Sequence, residues 1–112
     1  MKTVAINDVP LNPNPNGIET RKFHENDHVQ ALHLILKPGE RLKKHITPVD
    51  VFFYVLEGSG IVEIGKEKKS VTKDTCIDSP ARIPHCWYNE SNKILKVLVV
   101  KTPKPEQNTK IL

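Results

Sequence analysis

The sequence predicts an all-β protein of short antiparallel strands, and three observations carry this reading. Short apolar runs rich in Val, Ile and Leu recur along the chain, the composition that suits sheet interiors. Nine prolines and five glycines fall between those runs and punctuate them. No segment longer than a turn or two repeats its apolar residues at the helical period. Roughly eight to ten strands with turn signals at regular spacing mean a sandwich or a barrel.

Residues 1–17 hold Pro10, Pro13, Pro15 and four asparagines and read as an extended N-terminal arm. Residues 18–23 form the first expected strand, and residues 24–27 turn the chain, since Asn26 and Asp27 satisfy their own backbone locally. Residues 29–37 make the next strand, ended by Pro38 and Gly39. A short strand over 42–46 follows and is interrupted at Thr47 and Pro48. Residues 51–57 are apolar on both faces, which suggests a central strand covered on both sides. Gly58 and Gly60 turn the chain into residues 61–64, and Gly65 with Lys66 into 68–72. Lys73 and Asp74 lead to 75–79, the loop 80–84 to 85–89, and 89–92 to a last strand, 94–101. Pro103 and Pro105 end it and leave a polar tail, 103–112.

A chain of 112 residues is one domain with a single core, here residues 18–102. No apolar stretch is long enough to span a bilayer, and the N-terminus lacks an apolar core of signal-peptide length, so a cytoplasmic location without membrane partners is expected. In a reducing compartment Cys76 and Cys86 are two free thiols, with Cys76 on a strand that looks buried. The net charge of +4 invites a nucleic-acid reading. Yet the lysines are scattered among acids, and stacking aromatics at motif spacing are missing, so no nucleic-acid partner is expected. Lysines that keep strand edges from pairing explain the charge better.

Two histidines, His45 and His85, stand forty residues apart in glycine- or proline-marked strand-turn patterns. Gly39 precedes His45 by six residues, and a strand-like run ends at Gly58. Pro80 precedes His85 by five residues, and Asn89 follows it by four. This pairing resembles the two motifs of the cupin family over roughly residues 30 to 102. The resemblance implies an antiparallel jelly-roll β-barrel (a double-stranded β-helix), commonly a homodimer, with motif histidines meeting around a metal ion. Matched to that pattern, Thr47 stands at the second histidine and Val51 at the glutamate. Arg82 stands at the glycine of the second motif, and Lys73 lies near its leading glycine.

His45 and His85 are therefore the candidate metal ligands, for one divalent transition metal (Zn, Fe, Mn or Ni). Asp50 is the substitute carboxylate, but strand alternation turns it outward unless a bulge near Pro48 intervenes. His33 lies on a strand near the same mouth but reads as a satisfied structural histidine; His24 and His28 flank a turn. Trp87 and Asn89 share the His85 face, so Trp87 either lines the pocket or fills the core, while Cys86 and Tyr88 face away. Arg82 is placed to hold an anion at the rim or to sit in solvent. Two functions stay open: metal-assisted binding or chemistry on a small polar molecule, and a metal-free binding or sensing module. Whether the chain is an enzyme is open as well.

Overall fold

The alternation read from the sequence sorts the side chains of two facing sheets in a computed structural model that describes residues 1–106 and 110–112. The strands are β1 (Glu19–Glu25), β2 (Gln30–Leu36), β3 (Arg41–Ile46), β4 (Val51–Glu57), β5 (Ser59–Ile64), β6 (Glu67–Thr72), β7 (Cys76–Ser79), β8 (His85–Tyr88), β9 (Leu95–Lys101) and β10 (Lys110–Ile111). One sheet runs β1-β2-β9-β4-β7 and the other β10-β3-β8-β5-β6, and every pairing is antiparallel. No ladder joins the two sheets among the described residues. The expected barrel is thus a two-sheet sandwich whose strand order fits a jelly roll.

The core lies between the sheets. Leu34, Leu36, Phe53, Val55, Val97 and Val99 face in from the first sheet, against Val62 and Trp87 of the second. Trp87 is fully buried and meets Phe53 edge to face at a centroid distance of 5.5 Å, so it fills the core and does not line a pocket. β4 is interior in its sheet, between β9 and β7, but only one face is covered: Phe52, Tyr54 and Leu56 remain half-buried on the outside. Cys76 also proves exposed. It opens an edge strand whose inward residues are Ile77 and Ser79, and its outward phase pairs it with Tyr54.

Both termini fold back on the sandwich. After a 3₁₀ turn at Ile6–Asp8, the arm buries Val9, and the Asn14 side-chain amide donates to the Ile18 carbonyl at 2.9 Å. The Asn16 side chain accepts the Lys43 N–H at 2.9 Å, tying the arm across to β3. In the C-terminal tail, Lys110 and Ile111 pair with Ile46 and His45, so the tail ends in a strand beside the first motif.

The turns explain two motif substitutions. Gly58 has φ +82°, and a Cβ there would lie 2.3 Å from the Ile94 carbonyl oxygen, so only glycine fits. Arg82 has φ +66° and occupies the glycine position of the second motif with the backbone a glycine favours. Asp74 has the same φ; it, and not Lys73, takes the leading glycine position, at the entry to β7.

Candidate functional site

β3 and β8 slip register between Leu42 and His45: Leu42 pairs with Trp87 and His45 with His85. Three steps on β3 therefore match two on β8. The extra residue turns His45 inward, where strict alternation from Leu42 would have pointed it to solvent. His85 opens β8 directly opposite. The two Nε2 atoms lie 2.9 Å apart, with the rings crossed at 71°.

The neighbours dictate the protons. His45 Nδ1 lies 2.7 Å from the Lys43 carbonyl oxygen, which only accepts, so His45 carries its proton there and offers a lone pair at Nε2. His85 accordingly donates from Nε2 to His45, and its Nδ1 accepts the Ser79 hydroxyl at 2.6 Å. Thr47 Oγ1 stands 3.4 Å from His85 Nε2, and the Thr47 carbonyl accepts the Arg82 N–H at 2.9 Å, joining the two motif segments. Burial lowers the pKa of both rings. His85 falls to about 3, with the nearby His45 and Lys101 adding to the effect, and Lys101 also lowers His45. Both rings are neutral near pH 7.

The pair forms part of the wall of a cavity of about 470 Å³ at one end of the sandwich. Leu32, Leu34, Leu42, Phe53 and Val99 supply apolar wall, and the arm covers it with Asn12, Asn14 and Asn16. Lys101 and Lys22 also line it, and burial pulls the Lys101 pKa down, helped by Lys22.

The other candidates sit elsewhere. Asp50 points away from the histidines and accepts the Ala81 N–H at 2.8 Å, anchoring the loop before His85. His33 pairs across with Arg21 and Leu98 on the outer face of its sheet, with Nδ1 buried there. Arg82, His24 and His28 are exposed. Asn89 is buried and donates to the Leu36 and Lys93 carbonyls at 2.8 Å each, a clamp between segments. Cys86 is buried beneath Tyr88, 3.3 Å from its hydroxyl. Among the described residues no three His, Cys, Asp or Glu side chains converge.

Sequence reasoning missed Ser79 and Lys101. The period-two run Val97, Val99, Lys101 does carry the signal that Lys101 faces in. The Ser79 contact rests on two strands meeting across the loop 80–84, which spacing does not show.

The cupin domain family matches residues 32–101, and the chain belongs to the cupin family. An uncharacterized protein of Methanocaldococcus jannaschii, MJ1618, is 36% identical over 72 residues. The match covers 63% of this chain and 57% of that protein, so the chain spans little more than half of that relative's length. The polyketide cyclase RemF of Streptomyces resistomycificus superposes with a TM-score of 0.85 at 20% identity, over 100% of this chain and 85% of that one. A conserved protein of Klebsiella pneumoniae with a double-stranded β-helix domain gives 0.82 at 12% identity, over 99% and 96%. At these identities the two structures show the fold alone.

Proposed function

We propose that this cupin binds a small polar molecule in the cavity between its sheets, with the His45–His85 pair as the polar anchor. One observation carries the reading: two neutral imidazoles, Nε2 to Nε2 at 2.9 Å, stand on the wall of a half-apolar cavity of about 470 Å³. Cavities of a few hundred Å³ with an apolar lining and a few convergent polar groups are the usual form of small-molecule sites.

The donor set does not complete a resident metal centre. It offers two imidazoles, where catalytic zinc normally has three protein ligands and non-haem iron two histidines and a carboxylate. Val51 supplies no ligand, Thr47 only a hydroxyl, and Lys101 brings positive charge to the same cavity. A divalent ion (Zn, Fe, Mn or Ni) held by His45 and His85 is the second reading. It is favoured by the Lys43 carbonyl, which fixes the His45 proton on Nδ1 and leaves Nε2 open as a ligand.

Two measurements on untagged protein separate these readings. After EDTA treatment, a panel of neutral and charged fragments followed by ¹⁵N-edited NMR should give saturable shifts at Leu42, His45, Phe53 and Val99. Shifts scattered over the surface would remove the cavity reading. Elemental analysis before EDTA should find well under one metal per chain; one equivalent of Zn, Fe, Mn or Ni would install the second reading.

The uncovered face of the first sheet supports a further proposal, a homodimer. Ile35, Phe52, Leu98 and Val100 stand together there, each half-buried in a single chain. A second copy of the same face would cover them.

A further inference from the structure

The slip in β3 leaves backbone groups to be met by something other than a ladder. Between Leu42 and His45 the register with β8 skips Lys43 and Lys44, and β10 pairs only with His45 and Ile46. Among the described residues Lys43 thus has a register partner in neither strand. Its N–H donates to the Asn16 side-chain oxygen at 2.9 Å, and its carbonyl accepts the His45 Nδ1–H at 2.7 Å. One bulge residue therefore links a side chain of the arm to a ring of the site. Asn16 makes this contact from a braced position. Its own N–H donates to Asn14 Oδ1 at 3.0 Å, and Asn14 Nδ2 donates to the Ile18 carbonyl at 2.9 Å and the Thr20 hydroxyl at 3.2 Å. The arm in this way crosses the cavity from β1 in one sheet to β3 in the other, with Asn12, Asn14 and Asn16 in the lining. None of residues 10–17 is buried; the buried anchors are Val9 before them and Ile18 after. Hydrogen bonds, not apolar burial, hold this strap in place.

We infer that Asn16 is a positioning residue for the His45–His85 pair: by holding Lys43 it fixes the β3 bulge, and the bulge turns His45 into the cavity. Covering the cavity and presenting the His45 Nε2 lone pair are then one event. Without a fixed acceptor for the Lys43 N–H, β3 relaxes toward regular alternation, in which Leu42 and Ile46 share one face and His45 turns to solvent. Lys43 is exposed, so water replaces Asn16 as an acceptor, and the loss shows in the ring's tautomer and not in global stability. The inference rests on the cavity-binding function proposed above for the use of the pair, and adds the residue that sets it.

The test compares the EDTA-treated full chain with Asn16→Ala and Asn16→Asp by NMR of the imidazole nitrogens, which reports the tautomer of each ring. Asn16→Ala should move the His45 ratio from Nδ1–H toward Nε2–H by about fivefold, the effect of one ordinary hydrogen bond, with the amides of β4 and β9 unmoved. Asn16→Asp, whose carboxylate also accepts the Lys43 N–H, should restore the ratio. An unchanged ratio in Asn16→Ala, or a change that Asn16→Asp does not restore, would overturn the inference. Should Asn16→Ala not fold, hydrogen exchange of the wild type decides. The Lys43 amide should exchange as fast as the Asn12 amide of the arm, and much slower exchange at Lys43 would overturn the positioning role. Benzamide, as a neutral probe, should bind Asn16→Ala about fivefold more weakly than the wild type. Equal affinity beside a shifted tautomer ratio would count against the cavity reading and leave the positioning role standing; benzamide binding with an unmoved ratio would sink the inference alone.

Discussion

Ser79 holds the His85 ring through a 2.6 Å hydrogen bond in a buried setting, and neither group has solvent as a substitute partner. Ser79→Ala should cost about 1–2 kcal/mol of unfolding free energy, because it leaves the His85 Nδ1 acceptor buried and unmet. Chemical denaturation checks this, and an unchanged midpoint would contradict the contact. The histidine pair also sets a pH dependence. Both rings bind protons less readily when folded, so their stabilisation is complete above the ordinary imidazole pKa of about 6.5. It falls as pH drops from there toward about 3, the His85 value, and His33, lowered by its own burial, adds to the loss. Denaturation midpoints should therefore decline between pH 7 and pH 4, and His85→Gln should flatten the decline. A decline of equal steepness in the variant would mean that His85 is not buried neutral. Spacing made His45 and His85 legible, since each lies at a fixed count from a glycine or proline. It could not show whether the remaining ligands had been replaced by a neutral set or a positive one, because that depends on Lys101, a strand neighbour of Val51 fifty residues away.

Strands were the legible elements, and departures from strand regularity were not. Residues 51–57 appear as β4 with the expected bounds, because an apolar run closed by Gly58 leaves little choice. The slip in β3 had no such mark: Leu42 and Ile46 share one phase, so alternation alone would have turned His45 to solvent. The β10 pairing was hidden too, since two residues are too short for a pattern. The left-handed turns can be probed directly. Arg82→Gly should stabilise the fold by about 0.5–1 kcal/mol, as glycine adopts φ +66° without the penalty a Cβ imposes. Gly58→Ala should destabilise it by about 2 kcal/mol or more, given the strained φ and the clash with the Ile94 carbonyl. Thermal unfolding of the two variants should move in opposite directions; a shift of the same sign in both would contradict the turn assignments.

For the whole molecule, composition and punctuation were enough to give the all-β class. The division into two five-stranded sheets was not readable, because closure depends on which strand edges meet and not on where strands lie. The same sheet that builds the cavity wall leaves its outer face half-covered. Light scattering should give twice the 12.7 kDa chain mass, and Phe52→Lys with Leu98→Glu should return it to one chain mass without unfolding. A wild-type monomer at micromolar concentration would contradict that assembly. The most direct measurement of the central claim, a ligand cavity whose donor set falls short of a metal centre, is Zn²⁺ affinity. It should be compared by chelator competition between the wild-type chain and the Thr47→His, Val51→Glu double variant. The expected result is wild-type binding weaker than about micromolar, and a gain of about a hundredfold or more once three histidines and a glutamate surround the ion. Tight one-to-one binding by the wild type, or no gain in a folded double variant, would contradict it.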